Sequence, residues 1–239
     1  MSAGKLKDTL VIIPAYNEVE NIGLMLKTLT ELYPMLSVLI VNDGSVDGTG
    51  EVVKNYSKDH ANVFLIDKKK NEGLAKAYLN GFEWAKKSDF KYFLQMDCDF
   101  QHDPKEISTL LDKATEENLV IGSRYINGMR VRNWPLHRVA LSYFAGVYTR
   151  FLTGLRIKDV TGGFKCFGRK TFESLDLSKV FSQGFCFQIE LNYKTHLKGY
   201  KIIEVPITFH SRLKGKSKMS LKIILEAFVN VLKLRFIKI

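Results

Sequence analysis

Between residues 9 and 122 the chain alternates short apolar runs with longer segments whose apolar positions recur at helical spacing. The runs at 9–13, 38–42, 63–66, 92–96 and 119–122 have the length and composition of strands. Between them, residues 20–32, 49–58, 74–87 and 104–118 read as amphipathic helices, and Pro104 after Asp103 and Thr49 after Gly48 are start signals. Strands that are apolar throughout, each followed by a helix, belong to a parallel sheet covered on both faces. The expected fold class is α/β, with its ligand crevice at the carboxyl ends of the strands.

After residue 123 the periodicity changes. Residues 138–153 form a broad-faced apolar helix bounded by Gly154, 160–167 are glycine-rich and extended, 187–198 look helical and 202–209 read as a strand. A polar loop at 211–220 precedes a last helix over 221–239. With no internal repeat or low-complexity linker, the chain divides into a catalytic unit at 1–210 and a loop with a membrane-associating helix at 211–239. In that helix Lys222, Glu226, Asn230 and Lys233 fall on one narrow polar stripe, while Ile223, Ile224, Phe228, Val231, Leu232, Phe236 and Ile237 take other positions. Such a helix suits the headgroup layer of a membrane. Residues 139–152, with Tyr143, Phe144, Tyr148 and Phe151, are either a second such surface or a face packed on the sheet.

The 36 Lys and Arg against 25 Asp and Glu leave a formal charge of +11, which calls for an anionic partner: nucleic acid, anionic lipid or phosphorylated substrate. Nucleic acid is disfavoured, because the charge is not interleaved with stacking aromatics in any recognisable motif. The three cysteines lack metal-ligand spacing and read as reduced thiols. The N-terminus lacks a hydrophobic signal segment, and no apolar run reaches the roughly 18 residues of a spanning helix. Peripheral attachment at the cytoplasmic face of a membrane is the expectation.

A parallel sheet would gather the ends of four strands: Pro14 to Glu18, Asp43 to Ser45, Asp67 with Lys68, and Asp97 to Asp99. In extended chain Asp97 and Asp99 point the same way, and Gln101 continues their parity. Two carboxylates and an amide oxygen are hard ligands suited to Mg²⁺ or Mn²⁺, with diphosphate oxygens completing the shell. Asp43 can accept from a ribose hydroxyl or a base N–H, Tyr16 can stack on a base, and Glu18 offers another polar contact. Lone D-x-D patterns are often solvated loops; position at a strand end gives this one its meaning. Farther along, Arg124, Arg138, Arg212 and Lys218 are cations suited to phosphate.

Three segments, 11–18, 41–49 and 96–102, resemble the family 2 glycosyltransferases of GT-A fold. Narrower motifs are similar to the dolichol-phosphate (polyprenol-phosphate) mannose synthases: Gly122-Ser123-Arg124-Tyr125, Asn133-Trp134-Pro135 with Arg138, Asp159-Val160-Thr161-Gly162-Gly163-Phe164, Gly184-Phe185-Cys186-Phe187-Gln188-Ile189-Glu190, and Glu204-Val205-Pro206-Ile207. The resemblance implies a Rossmann-like GT-A sheet with C-terminal interfacial helices. It implies inverting transfer of mannose from GDP-mannose to a dolichyl or polyprenyl phosphate, at an anionic membrane surface and compatible with a membrane-spanning partner subunit. By it, Pro14, Tyr16, Glu18, Val41 and Asp43 hold the nucleotide. Asp97, Cys98 through its backbone, Asp99 and Gln101 serve metal and diphosphate. Arg124, Arg138, Ser142, Arg212 and Lys218 meet the acceptor phosphate, with Arg124, Arg212 and Lys218 also reaching the donor. Asp99, Arg124 and Arg212 carry the chemistry. Residues 210–219 are similar to the family's acceptor loop, and no Gln-x-x-Arg-Trp motif of processive relatives is present. A polyprenyl-phosphate glucosyltransferase, or another family 2 enzyme of the cell envelope, keeps the fold and changes the sugar. A non-catalytic nucleotide-binding module that docks on membranes is the reading from a different class.

Overall fold

Each apolar run becomes a strand because its side chains can be buried on both sides of one sheet. In the computed structural model, which describes residues 3–128, 130–131, 136–210 and 221–236, these are β1 (Thr9–Ala15), β2 (Ser37–Asp43), β3 (Val63–Lys68), β4 (Tyr92–Gln95), β5 (Asn118–Ser123), β6 (Lys165–Gly168) and β7 (Lys201–Pro206). The helices are α1 (Ala3–Lys7), α2 (Val19–Leu32), α3 (Thr49–Tyr56), α4 (Leu74–Lys86), α5 (Ile107–Lys113), α6 (Leu136–Thr153), α7 (Arg169–Glu173), α8 (Gly184–Leu197) and α9 (Leu221–Leu234). Pro104–Glu106 is a 3₁₀ turn capped by Asp103, so the helix expected over 104–118 is shorter and α5 starts at Ile107.

The sheet order is β3-β2-β1-β4-β6-β5-β7. All pairs are parallel except those of β6, which runs antiparallel to β4 and β5. That reversal matters for the site. Gln95 at the end of β4 pairs with Lys165 at the start of β6, so the segment before β6, residues 159–164, enters at the edge where β4 ends.

One apolar cluster packs Tyr78 and Phe82 of α4 and Phe187 and Leu191 of α8 on the sheet with Leu10, Ile12 and Phe93. The other packs Ile22, Met25 and Leu26 of α2 and Leu110 and Leu111 of α5 on Val11, Ile13 and Ile40. Each large apolar side chain buried this way contributes about 1.5–3 kcal/mol. The expected parallel sheet with helices on both faces is observed.

The last helix departs from the expected stripe. Val231 and Leu234 lie in the same core cluster as α8, and Asn230 is only 7% exposed. Contact with α8, rather than the pattern of polar positions, therefore sets the helix phase and turns Asn230 inward. Phe228, Val229, Leu232 and Phe236 face outward.

Candidate functional site

The site is built on loops that continue β1, β2 and β4. Asp43 is buried at 3% exposure, and its carboxylate accepts the backbone N–H groups of Glu72 (3.0 and 3.2 Å) and Gly73 (2.8 Å). It thereby holds the 71–73 loop against the end of β2. The next residue must be glycine: at Gly44 φ is +71°, and a Cβ would stand 2.5 Å from the backbone of Lys70.

The loops after β1 and β2 are stitched together. Ser45 Oγ donates to Asn42 Oδ1 (2.5 Å) and accepts from Asn17 N (2.9 Å). Asn17, at φ +54°, accepts the N–H of Val46 on its side-chain oxygen. Thr49 Oγ1 accepts from Glu18 N and donates to Asp47, whose other carboxylate oxygen accepts from Val19 N. Burial raises the Asp47 pKa, but the hydrogen bonds from Thr49 and Val19 outweigh it and hold the carboxyl below its usual value. These contacts position Tyr16 and Glu18, both half-buried, over the sheet edge. Pro14 lies opposite Val41 in the parallel register. The side chain of Val41 is wholly buried in the core beside Gly81, which leaves its backbone as the part it can offer to the crevice.

The Asp97–Gln101 segment also differs from a continued strand. β4 ends at Gln95, and Phe100 adopts φ +58°, a conformation rare for a bulky side chain. The simple parity of Asp97, Asp99 and Gln101 is replaced by a turn in which Asp99 Oδ1 accepts from Gln101 N at 3.1 Å. Asp97 keeps its side chain about one-third exposed and accepts from the Tyr78 hydroxyl at 3.1 Å. Tyr78 is fully buried; burial, and then the charge of Asp97, push its pKa up, so it remains a donor. Asp99 and Gln101 are each 5% exposed, and Gln101 reaches the carbonyl of His210 at 3.4 Å. Cys98 packs in the apolar cluster on the α2 side. Burial, and then Glu18 and the two aspartates, push its thiol pKa up, keeping it an inert neutral group.

Behind this turn stands His102, which the sequence reading passed over. It is 2% exposed, stacked on Phe164 at 5.0 Å, and its Nδ1 accepts the N–H of Asp97. Burial lowers its pKa to about 4, so the ring is a neutral prop for the turn. Gly163 and Gln188 also border Asp97: a Cβ on Gly163 would lie 3.6 Å from Gln188 Nε2 and 3.9 Å from Asp97 Oδ2. Both residues stand in motifs that carry the resemblance, yet their local patterns show no metal, nucleophile or base signal.

On the acceptor side, Arg124 is 7% exposed and forked onto the wholly buried Asp159, with Nε at 2.7 Å from Oδ2 and Nη2 bound to Oδ1. Nη2 also donates to Thr161 at 2.7 Å. Burial would lower the guanidinium pKa, but Asp159 outweighs it and raises the value. The backbone N–H groups of Lys158 and Asp159 are in turn held by Glu204. The structure thus gives Arg124 a bracing job that its motif did not announce. Ser142 Oγ accepts from Tyr125 OH at 2.7 Å, so this hydroxyl, too, is held in place. Arg212, Lys218 and the side chain of Arg138 lie outside the described residues.

Residues 10–176 match the glycosyl transferase family 2. The chain is 43% identical over 225 residues to the polyprenol monophosphomannose synthase of Mycolicibacterium smegmatis, covering 93% of this chain and 85% of that one. It is 37% identical to the undecaprenyl-phosphate mannosyltransferase of Micrococcus luteus, covering 93% and 91%. Its fold matches a glucosyl-3-phosphoglycerate synthase from Mycobacterium tuberculosis, solved with Mn²⁺, UDP and phosphoglyceric acid, at TM-score 0.69 and 15% identity over 99% and 84% of the two chains. A Rossmann-like GT-A sheet, strand ends bearing the expected acids and kinship along most of the sequence lead to one assignment: the chain belongs to glycosyl transferase family 2, alongside the polyprenol-phosphate mannosyltransferases.

Proposed function

We propose that the protein transfers mannose from GDP-mannose to the phosphate of a polyprenyl phosphate, inverting the anomeric centre. The observation that carries this reading is the gathering of Asp97, Asp99 and Gln101 where β4 ends, in a chain so similar to two polyprenyl-phosphate mannosyltransferases. Pro14, Tyr16, Glu18 and Asp43 would hold the nucleotide, with the backbone of Val41 and the amides of the 71–73 loop beneath it.

The donor set fits a hard divalent cation, Mg²⁺ or Mn²⁺, because it consists of carboxylate and amide oxygens. Among the described residues no group of three or more His, Cys, Asp or Glu could hold a metal, so Asp97 and Asp99 would share the ion with diphosphate oxygens. When bound, it would neutralise charge on the departing nucleoside diphosphate.

An acceptor phosphomonoester has its second pKa near about 6 and is largely dianionic at neutral pH. It needs no protein base. Arg138, Arg212 and Lys218 would align it, while Arg124, its charge balanced by Asp159, would brace the wall behind it.

The acceptor is a lipid, and two helices offer a surface for it. Leu141, Phe144, Val147 and Phe151 share one side of α6, and Phe151 is 85% exposed. Phe228, Val229 and Leu232 share one side of α9, and exposed Phe236 follows just beyond its end. Tyr148 joins the two helices by stacking on Phe228 at 3.9 Å. No helix among the described residues is long and apolar enough to cross a membrane. We therefore assign the α6–α9 pair to the headgroup layer of an anionic membrane, which the positive charge of the chain favours.

The test uses purified protein with Mg²⁺ or Mn²⁺, labelled GDP-mannose and a short polyprenyl phosphate. Label is expected in the organic phase. Asp99→Ala is expected to cut transfer by about 100- to 1000-fold while lowering the melting temperature by only about 2–4 °C, the cost of one lost hydrogen bond. Label that stays aqueous for every nucleotide-sugar offered refutes the reading.

A further inference from the structure

We infer that Gln188 and Gly163 form the wall of the pocket for the transferred hexose, with the Gln188 side-chain amide reading its hydroxyl groups. This rests on the mannosyl-transfer reading and adds what that reading lacks, a residue that distinguishes one sugar from another.

Three observations converge. First, Gln188 lies within α8 at 3% exposure, and its Oε1 has no hydrogen-bond partner among the described residues. A buried amide oxygen without a donor costs about 1–3 kcal/mol, and native proteins rarely leave one unanswered. Turned towards Gly163 by a flip of the amide, this oxygen would meet the hydroxyl donors that a hexose ring carries.

Second, the residue facing it has no side chain. A Cβ on Gly163 would sit 3.6 Å from Gln188 Nε2, 3.6 Å from His102 Cε1 and 3.9 Å from Asp97 Oδ2. Those are ordinary contact distances, so the space beside Gly163 admits a carbon atom without clash. Gly163 has no positive φ that would otherwise call for glycine. Glycine here keeps open a small space walled by an amide, a neutral imidazole and a carboxylate that would hold the diphosphate through the divalent cation. The hexose is bonded to that diphosphate, so its ring must lie within a few ångströms of Asp97.

Third, the backbone that carries the amide is anchored. Lys165 Nζ, fully buried in β6, donates to the backbone oxygen of Gln188 at 2.8 Å and ties this part of α8 to the sheet. A rigid donor–acceptor pair can discriminate hydroxyl configuration, because a misplaced hydroxyl leaves a buried group unpaired.

The experiment compares wild type, Gln188→Ala and Gly163→Ala, using full-length protein with Mn²⁺ and short polyprenyl phosphate. It measures GDP affinity, kcat/KM for GDP-mannose and the rate ratio between GDP-mannose and GDP-glucose. Gln188→Ala is expected to lower kcat/KM about 10- to 100-fold and to bring the mannose-to-glucose ratio closer to one, with GDP affinity unchanged. Gly163→Ala is expected to raise KM for GDP-mannose with the same GDP affinity and melting temperature, because the added methyl takes up space meant for the ring. The inference is overturned if Gln188→Ala keeps the wild-type donor preference, or if it loses GDP affinity in step with activity, which would make Gln188 a brace for the Asp97 turn. A Gly163→Ala variant with unaltered KM would overturn the pocket wall. Wild type that labels lipid while Gln188→Ala is unimpaired sinks this inference alone; wild type that transfers no sugar sinks the mannosyl-transfer reading and this inference with it.

Discussion

The two halves of the crevice are built on opposite plans. Where β1 and β2 end, polar side chains are spent on one another: Ser45 bridges Asn42 and Asn17, Thr49 bridges Glu18 and Asp47, and Asp43 clamps the 72–73 amides. Beyond β5, the buried ion pair of Arg124 with Asp159 does the bracing, and the outer helices turn aromatic rings to the outside. The first plan gives a rigid, preorganised cradle suited to a small polar ligand. The second gives a rigid base under a surface that water wets poorly and that a lipid layer would cover. The proposed function, with a donor that arrives in solution and an acceptor that arrives in a membrane, would ask for that difference.

The largest expected effect comes from breaking the base of the second half. Asp159→Asn leaves the Arg124 guanidinium buried without its charge partner, which costs about 3–5 kcal/mol. For a chain of this size that lowers the melting temperature by roughly 6–20 °C. A fall of under about 3 °C would show that Arg124 does not depend on Asp159 and is available as a mobile phosphate ligand, as its motif alone suggested. The two halves would then be less different than they look.

The next effect is on the surface. Phe144 and Phe151 are 67% and 85% exposed, so replacing both by serine should leave the melting temperature unchanged. If these rings enter lipid, each contributes at least about 1.5 kcal/mol, and the double variant should bind anionic vesicles about 100-fold more weakly. GDP affinity should not move. Unchanged sedimentation with vesicles would remove α6 from the membrane-facing surface.

How far the sequence carried these conclusions depended on the range of the interaction involved. The strands β1 to β5 and the acids at their ends were legible because apolar runs and strand-end loops are local patterns. The direction of β6 was not, since it depends on Gln95 meeting Lys165 across 70 residues of chain. Arg124 read as a phosphate ligand because its partner, Asp159, is 35 residues away. Asn230 read as solvent-facing because contact with α8 sets the phase of α9. The shared parity of Asp97, Asp99 and Gln101 does not hold in the fold, since Phe100 at φ +58° breaks the extended chain on which it depends. Gln188 stands in a motif that carries the resemblance, but its local pattern assigns it no role. An amide in an apolar helix acquires meaning only when Gly163 is seen opposite it.

The smallest effect belongs to the first half. Ser45→Ala removes the hydroxyl that donates to Asn42 and accepts from Asn17. Water can replace it at Asn17, which is exposed, but less readily at Asn42, which is 3% exposed. The loss should be about 1 kcal/mol, a fall of about 2–4 °C in melting temperature. Because the loop bearing Tyr16 and Glu18 loses a strut, KM for GDP-mannose should rise a few-fold with kcat nearly unchanged, the signature of weakened binding felt equally in ground and transition states. Vesicle binding should be untouched. That is the mirror image of the Phe144 and Phe151 result, where vesicle binding falls and donor affinity holds. A Ser45→Ala variant that bound vesicles poorly, or one whose kcat fell while KM held, would mean that the donor loops and the membrane face are coupled, and the division into two independently built halves would fail.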